Sequence, residues 1–366
     1  MPRRYLASIS GCMIFCFAMA TACPALLVAE ENTASSPATE AAKEEKAVTD
    51  LYRVPEGNSE RLLDYIEEIR NFQPSSNDEA LRHYRHASDA MRGAAEKILS
   101  QEKDQTSPAW HRAQVVLLGL QVRELTDQSR EQRTDFVRRV EQALSVAKLD
   151  LPEVQLGVRT AGFLEHLDES QLALRVYEKL APLAEKSEDP EIHDRAEMLH
   201  GSIRRLRLTG NAMHLAGKTL RNKPFDLRQL SGKVVLVNFW ATWCGPCLGE
   251  IPTLKKFYEA YHPLGFEIVG INLDEDRSEL DSFVATEKIP WLILHDAQDS
   301  SANSPAREYG VEAIPCMILV GKDGKVTNLF ARGERLGELL AKEFGPIPEK
   351  KSVSRPMALK QKKMEP

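Results

Sequence analysis

Residues 234–247 read VVLVNFWATWCGPC, and this stretch decides the fold of the C-terminal part of the chain. Val234 to Trp240 is an unbroken apolar and β-branched run, which is typical of a strand buried on both faces. The run leads into Trp243-Cys244-Gly245-Pro246-Cys247. Pro246 suits the first turn of a helix, where its missing N–H is not needed. A cysteine pair that follows a strand and opens a helix predicts thiol redox chemistry.

The two sulfurs are expected to have different roles. A sulfur at the first helical turn faces unpaired backbone N–H groups and the positive end of the helix dipole, so its thiolate is stabilised. We therefore predict that Cys244 is the nucleophile. Cys247, one turn on and pointing inward, is predicted to attack the mixed disulfide that Cys244 forms with a substrate. A structural zinc site needs four ligands, and this region of the sequence has no second C-x-x-C and no paired histidines, so we expect neither a metal nor a cofactor.

Outward from this stretch, short apolar runs alternate with helical patterns. The predicted strands are Val234 to Trp240, Phe266 to Leu273, Trp291 to Asp296, Cys316 to Val320 and, as an edge strand, Val326 to Ala331. The predicted helices are Pro246 to Tyr261, Leu280 to Lys288, Pro305 to Tyr309 and Leu336 to Phe344. Asp323-Gly324 favours a hairpin turn before the edge strand. Alternation of this kind predicts right-handed parallel units, here followed by a hairpin.

A second proline, in Ala313-Ile314-Pro315-Cys316, immediately precedes the fourth strand. With NFWATWCGPC, Glu250-Ile251-Pro252 and Tyr309-Gly310-Val311, it gives residues 217–344 a resemblance to the thioredoxin superfamily, specifically to TlpA/ResA-like extracytoplasmic thiol-disulfide oxidoreductases (related to AhpC/TSA). The resemblance implies an α/β thioredoxin-like domain with a central mixed sheet flanked by helices. It implies that Pro315 is a cis-proline packed against the dithiol, that the backbone of Ile314 binds substrate, and that Trp243 covers the dithiol. An ordinary trans proline and a merely packing tryptophan are the alternatives.

The sequence also departs from this family. Cytoplasmic thioredoxins carry a buried aspartate six residues before the first cysteine, where this chain has Asn238, and their strand lysine is matched by Gly270. An amide cannot accept the proton of Cys247, so water or a carboxylate such as Glu250 or Glu312 must do so. Cys316 stands where threonine is common, and is either a small buried hydrophobe or a third thiol that modulates the pair. Gly245 and Pro246, between the cysteines, resemble the dipeptide of reducing thioredoxins, whose potential is near about −270 mV.

Residues 51–208 precede this domain and read as an all-helical domain. Apolar residues recur at spacings of three and four, and Pro-containing breaks divide the region into about six helices. Ser107 before Pro108 and Asp189 before Pro190 predict helix N-caps followed by first-turn prolines. Residues 172–187 and 191–208 resemble a tetratricopeptide-like helical hairpin. A helical bundle with solvated faces and a concave surface that docks a partner are both compatible with the pattern. The scattered histidines here show no metal-ligand spacing.

The N-terminal residues of the sequence predict export. Two arginines precede an apolar run in residues 1–29, which predicts a secretory signal peptide. Lipidation at Cys23, which would tether the protein, and an uncleaved anchor are the alternatives. Residues 30–50 read as a flexible linker, 209–346 as the thioredoxin-like domain, and 347–366 as a disordered basic tail. We therefore expect an extracytoplasmic location, periplasmic or on the outer side of a membrane.

Composition limits the partners. The 366 residues carry a net charge of −6, which lacks the basic excess that binding to phosphate backbones requires, so nucleic acid is not expected as a partner. The leading hypothesis is an enzyme that reduces disulfides in exported proteins such as apocytochrome c, supplied with electrons by a membrane dithiol donor. The alternatives are a helical binding or adaptor protein with a thioredoxin-like scaffold, and a thiol peroxidase. The peroxidase needs a threonine three residues before its reactive cysteine, inside a Pro-rich loop, and that loop is absent from this sequence.

Overall fold

The computed structural model describes residues 51–145, 149–296 and 304–347. The predicted signal segment and linker, and all but Ile347 of the predicted basic tail, lie outside the described residues. The chain divides into the units Met1–Arg53 and Val54–Pro366, and every helix and strand given below belongs to the second unit. Within the described ranges, none of the helices has the length and apolar character needed to span a bilayer.

The N-terminal half of the second unit is helical, as predicted. Its α-helices, together called the helical layer, are α1 (Ser59–Arg70), α2 (Asn77–Gln101), α3 (Pro108–Gln121), α4 (Arg130–Ala143), α5 (Leu151–His166), α6 (Ser170–Glu185) and α7 (Pro190–Leu206). The two predicted N-caps are confirmed: the Ser107 hydroxyl accepts from the Trp110 N–H, and the Asp189 carboxylate accepts from the Glu191 N–H. The predicted hairpin corresponds to α6 and α7, which pack against each other.

The expected number of six helices is wrong, because the described residues contain seven α-helices in this region. Two of the breaks carry no proline. After α3 the chain tightens into a 3₁₀ turn, Val122–Asp127, and α4 restarts at a capping box formed by Ser129 and Gln132. Between α5 and α6, Asp168 adopts a left-handed conformation with φ of 60°, which ends one helix before the next begins.

The C-terminal half is built on a five-stranded mixed sheet. Its elements in chain order are β1 (Ala216–Lys218), β2 (Pro224–Asp226), β3 (Val234–Trp240), α8 (Gly245–Tyr261), β4 (Phe266–Asn272), α9 (Arg277–Glu287), β5 (Leu292–His295), α10 (Pro305–Glu308), β6 (Cys316–Val320), β7 (Val326–Asn328) and α11 (Gly333–Phe344). The sheet order is β5-β4-β3-β6-β7, with β3, β4 and β5 parallel and with β6 and β7 antiparallel to their neighbours. The central strands are fully buried, as predicted.

Several details differ from the expectations. Helices α9 and α11 each begin three residues before the predicted start, at Arg277 and Gly333. The edge strand β7 ends at Asn328 and not at Ala331, because the Asn328 side chain accepts a hydrogen bond from the Phe330 N–H at 2.8 Å and turns the chain. The short antiparallel pair β1–β2 was not predicted, since three-residue strands leave almost no periodic signal. The predicted turn between β6 and β7 is confirmed, with Gly324 at φ of 78°.

The sheet lies between two helical coverings. Along β3, Val235, Val237 and Phe239 belong to a buried cluster that includes residues of helices α3–α7. Leu236 and Trp240 point to the other face, where a second cluster contains residues of α8, α9 and α11. Because strand side chains alternate in direction, one strand packs against both coverings. The hydrophobic cluster of the helical layer is thus continuous with that of the sheet.

Candidate active site

The dithiol lies where β3 ends and α8 begins. Cys244 is the N-cap residue of α8 and is joined to Cys247 by a disulfide, with their Cα atoms 5.2 Å apart. The Cys247 N–H donates to the Cys244 sulfur at 3.2 Å. A sulfur in this position takes the place of a capping oxygen and satisfies one of the unpaired N–H groups of the helix. The side chain that caps the helix is therefore the one expected to carry negative charge after reduction.

The cis-proline segment faces this sulfur. The Ile314–Pro315 peptide bond is cis, as the family resemblance implied. The Cys244 Sγ lies 3.7 Å from the carbonyl oxygen of Ile314. Trp243, directly before the dithiol, is 64% exposed, so it is not a core-packing residue. Both cysteines are nearly buried, with 5% of Cys244 and 3% of Cys247 exposed in the disulfide form.

A buried polar network, which was not predicted from the sequence, fixes the loop before the dithiol. Asp274, which is 1% exposed, accepts from both the backbone N–H and the hydroxyl of Thr242, at 2.9 and 3.0 Å. The amide of Asn272 donates to the other carboxylate oxygen of Asp274 at 2.7 Å, and His295 lies 2.7 Å from the Asp274 carbonyl. The carboxyl ends of parallel strands meet at one edge of a sheet, so Asn272 and His295 at the ends of β4 and β5, and Asp274 just after β4, were a signal for this network.

Asn238 lies on the same face of β3 as Trp240, which belongs to the same buried cluster as the two cysteines. It is 4% exposed, and among the described residues neither its Oδ1 atom nor the indole N–H of Trp240 has a hydrogen-bond partner. Gly270 pairs with Asn238 in the β3–β4 register, and a Cβ at Gly270 would lie 2.9 Å from that indole nitrogen. The glycine at the position of the thioredoxin lysine therefore makes room for Trp240.

The two carboxylates considered as proton acceptors have different surroundings. Glu250 forms an ion pair with Arg332 at 3.0 Å. Glu312, three residues before Pro315, exposes more than a third of its surface, yet desolvation raises the pKa of its carboxyl, whereas Arg195 and Arg205 lower it. The raised pKa makes the Glu312 carboxylate more basic than that of an ordinary glutamate.

Cys316 follows the cis-proline and is a free thiol. Burial raises the pKa of Cys316 to about 11, Arg205 acts to lower it, and Glu165 acts to raise it. A thiol with this pKa is almost fully protonated near neutral pH and is a poor nucleophile. This environment favours the interpretation of Cys316 as a small hydrophobic residue over that of a third reactive thiol.

The helical layer reaches this site through α7. The Arg205 side chain is 6% exposed, and its Nε donates to the Tyr309 carbonyl at 2.9 Å. Its guanidinium also forms a bidentate ion pair with the Glu165 carboxylate. The Tyr177 hydroxyl donates to the same carboxylate at 3.0 Å. Ser202 donates to the Gly310 carbonyl at 3.2 Å. Helix α7 is therefore bonded directly to the segment that leads to Ile314 and Pro315, and α5 and α6 are linked to it through Arg205.

The fold and this site define a class of protein: a thioredoxin-fold thiol-disulfide oxidoreductase, with a cysteine pair at a helix N-terminus and a cis-proline opposite it. A family model described as Redoxin matches residues 208–340. A tryparedoxin from Trypanosoma brucei brucei is 37% identical over 130 residues, which are 34% of this chain and 89% of that protein.

The thiol-disulfide oxidoreductase ResA of Bacillus thuringiensis strain Al Hakam is 34% identical over 121 residues, 33% of this chain and 67% of that protein. The solved thioredoxin domain of a thiol-disulfide oxidoreductase from Bacteroides vulgatus is 29% identical, covers 37% of this chain and 96% of that domain, and has a TM-score of 0.34. This chain belongs to the thioredoxin superfamily as a TlpA/ResA-like protein and is a redox enzyme.

Proposed function

We propose that this protein is an extracytoplasmic enzyme that reduces disulfides in exported proteins, with Cys244 as nucleophile and Cys247 as resolving thiol. The observation that carries the proposal is the Cys244–Cys247 pair at the N-terminus of α8, with the Cys244 sulfur beside the carbonyl of Ile314. That arrangement supports a stabilised thiolate on Cys244 and a place beside the cis-proline for the substrate chain.

The reaction transfers two electrons and two protons. The Cys244 thiolate attacks one sulfur of the target disulfide, so that a Cys244–target disulfide forms and the second target sulfur leaves as a thiolate that takes up a proton. Cys247 then loses its proton and attacks the Cys244 sulfur. The first target sulfur leaves, is protonated, and the target is released as a dithiol. The enzyme is left in the disulfide form.

A dithiol donor must then reduce Cys244–Cys247 by the reverse exchange. Outside the cytoplasm glutathione and thioredoxin do not keep thiols reduced, so a membrane dithiol protein is the class of donor that we propose. Apocytochrome c, whose haem-attachment cysteines must be reduced, is the class of exported target that the TlpA/ResA likeness suggests. The predicted export segment, residues 1–29, supports the location, either as a cleaved signal or with a tether at Cys23.

The reductive direction rests on the Gly245-Pro246 dipeptide. We expect a reduction potential on the reducing side of about −180 mV, measured by equilibration with glutathione, and a more oxidising value would refute the reductive assignment. Alkylation of cysteines in living cells, followed by the mass shift of the protein, should show Cys244 and Cys247 mainly as dithiol while the donor is present.

A matched pair of variants tests the roles of the two cysteines. Cys247→Ser should accumulate a mixed disulfide with its targets, because the resolving step is blocked while the first attack remains possible. Cys244→Ser should accumulate none and should lose insulin reduction. Accumulation in Cys244→Ser, or equal accumulation in both variants, would show that the nucleophile is assigned to the wrong cysteine.

A further inference from the structure

A cleft of about 710 Å³ lies between the helical layer and the cis-proline segment. The helical side contributes Gly162, His166 and Arg205, and the sheet side contributes Glu312 and the pair Ile314–Pro315. We call it the interlayer cleft. Its volume falls in the range of roughly 300–1,000 Å³ that is usual for ligand pockets.

The interlayer cleft begins next to the reacting sulfur. Ile314 lines the cleft, and its carbonyl oxygen is 3.7 Å from the Cys244 Sγ atom. A substrate polypeptide joined to Cys244 in the mixed disulfide has its neighbouring residues within a few ångströms of that carbonyl. The cleft is therefore a recess into which those residues can extend.

The helical wall is held at a fixed distance from the sheet wall. A Cβ built on Gly201 would lie 2.5 Å from the Gly310 backbone nitrogen, and one built on Gly310 would lie 2.2 Å from the Ser202 nitrogen. The two backbones touch because neither residue has a side chain. Together with the hydrogen bonds from Arg205 and Ser202, this contact makes the helical layer a preformed wall of the cleft.

The lining of the cleft contains one more carboxylate than arginine. Three arginines line it, and each forms an ion pair with a carboxylate that also lines it: Arg205 with Glu165, Arg332 with Glu250, and Arg335 with Asp168. Glu312 is the fourth carboxylate, and within the described part of the chain it has neither a hydrogen bond nor an ion pair through its side chain. A cationic group would complete the charge pairing of the cleft.

We propose that the interlayer cleft binds the stretch of substrate polypeptide beside the attacked cysteine, and that Glu312 selects a stretch that carries a lysine or an arginine. The inference rests on the proposed function and names a feature of its substrates. The helical layer is then one wall of the substrate site, and Glu312 on the opposite wall discriminates between substrates by their charge.

The charge of the substrate is tested with the full chain and two synthetic peptides. Each peptide carries one cysteine in a disulfide with a fluorescent thiol, and they differ only in lysine or glutamine two residues after the cysteine. The wild type should favour the lysine peptide by about 2- to 5-fold in kcat/KM, as expected for a charge pair at a side chain that is more than a third exposed.

In Glu312→Gln that ratio should fall to about one. Glu308→Gln is the matched control, since Glu308 lies on the same segment but does not line the cleft, and it should keep the wild-type ratio. A wild-type ratio of one, or a preference that survives Glu312→Gln unchanged, would overturn the assignment of Glu312.

The position of the substrate polypeptide in the cleft is tested by narrowing the cleft from its helical side. A Cβ added at Gly162 would have no other atom within 4 Å, so the Gly162→Leu variant should fold with the leucine side chain in the cleft. The ratio of kcat/KM for the lysine peptide to that for bis(hydroxyethyl) disulfide should fall at least about 3-fold, because only the peptide extends past the sulfur. Gly119→Leu, at an equally open helical glycine outside the cleft, should leave that ratio unchanged.

An unchanged ratio in Gly162→Leu would place the substrate elsewhere and overturn the inference. Reduction of the small disulfide distinguishes a failure of the proposed function from a failure of the cleft assignment. If the wild type does not reduce bis(hydroxyethyl) disulfide, the proposed function has failed. If it does so while showing neither the charge preference nor the steric effect, the proposed function stands and the cleft assignment is wrong.

Discussion

Replacing Gly201 by alanine should force the helical layer away from the segment that leads to the cis-proline. Gly201 lies in α7, and a Cβ at this position would be 2.5 Å from the Gly310 nitrogen and 2.6 Å from the Arg307 carbonyl oxygen. Both are backbone atoms, so neither can rotate out of the way. Ordinary contact begins at about 3.4 Å, which requires the two backbones to separate by about 0.9 Å.

The expected change in the free energy of unfolding combines opposing contributions. Crowding in a well-packed contact costs about 1–3 kcal/mol. Hydrogen bonds from Ser202 to the Gly310 carbonyl and from Arg205 to the Tyr309 carbonyl stretch with the separation, each worth about 1 kcal/mol. Alanine regains about 1 kcal/mol of helix propensity. The net expectation is a loss of about 2 kcal/mol in the free energy of unfolding.

Urea unfolding of Gly201→Ala against the wild type measures this loss, with Gly119→Ala as the matched control. Gly119 also lies in a helix, but no atom is within 4 Å of its built Cβ, so alanine should stabilise the protein by about 0.5–1 kcal/mol. Reduction of the peptide substrates should also slow in Gly201→Ala, because the displaced segment carries Ile314 and Pro315. Equal stability of the two alanine variants would refute the close contact between the layers.

Three further outcomes follow from the contacts. Arg205→Met should cost about 3–5 kcal/mol by leaving Glu165 as an unpaired buried charge, and the double variant with Glu165→Leu should recover most of this loss in urea unfolding; a double variant as unstable as the single one would contradict the pairing. Cys316, whose pKa is raised to about 11, should be alkylated by iodoacetamide about 100-fold more slowly at pH 8 than the same thiol in the unfolded protein. Peptide mass spectrometry should show the alkylation rate rising toward pH 11. A rate that levels off by pH 9 would show a thiol of ordinary pKa. Asp274→Ala should remove the two bonds to Thr242 and lower kcat/KM for disulfide reduction about 10-fold, as measured with bis(hydroxyethyl) disulfide, and unchanged kinetics would mean that the network does not position the dithiol.

The strands and the dithiol could be predicted because their signals are local. An apolar run such as Val234 to Trp240 can pack only when both faces are covered, and a cysteine pair that opens a helix needs only four consecutive residues. The helix caps at Ser107 and Asp189 are equally local, and both were predicted correctly. The break at Asp168 was missed because a left-handed aspartate leaves no proline or glycine in the sequence.

The contacts around the site could not be predicted in the same way. Arg205 and Tyr309 are 104 residues apart in the chain, and Ser202 and Gly310 are 108 apart. In the sequence, Arg205 is one arginine in a charged helical stretch and Gly201 is one glycine near a histidine, with nothing to indicate their partners. Their roles depend on which face of α7 meets the sheet, and periodicity gives the apolar face of a helix without its neighbour.

By itself the sequence determined that this chain contains a thioredoxin-like sheet with Cys244 and Cys247 at a helix N-terminus and a proline opposite, preceded by helices. Only the tertiary structure decided that those helices share a hydrophobic core with the sheet and form a wall beside the cis-proline. The physical reason is the range of the interactions. Backbone propensity and helix capping act over a few neighbouring residues, whereas the packing of α7 on Gly310 depends on the shapes of two surfaces that exist only after both have folded.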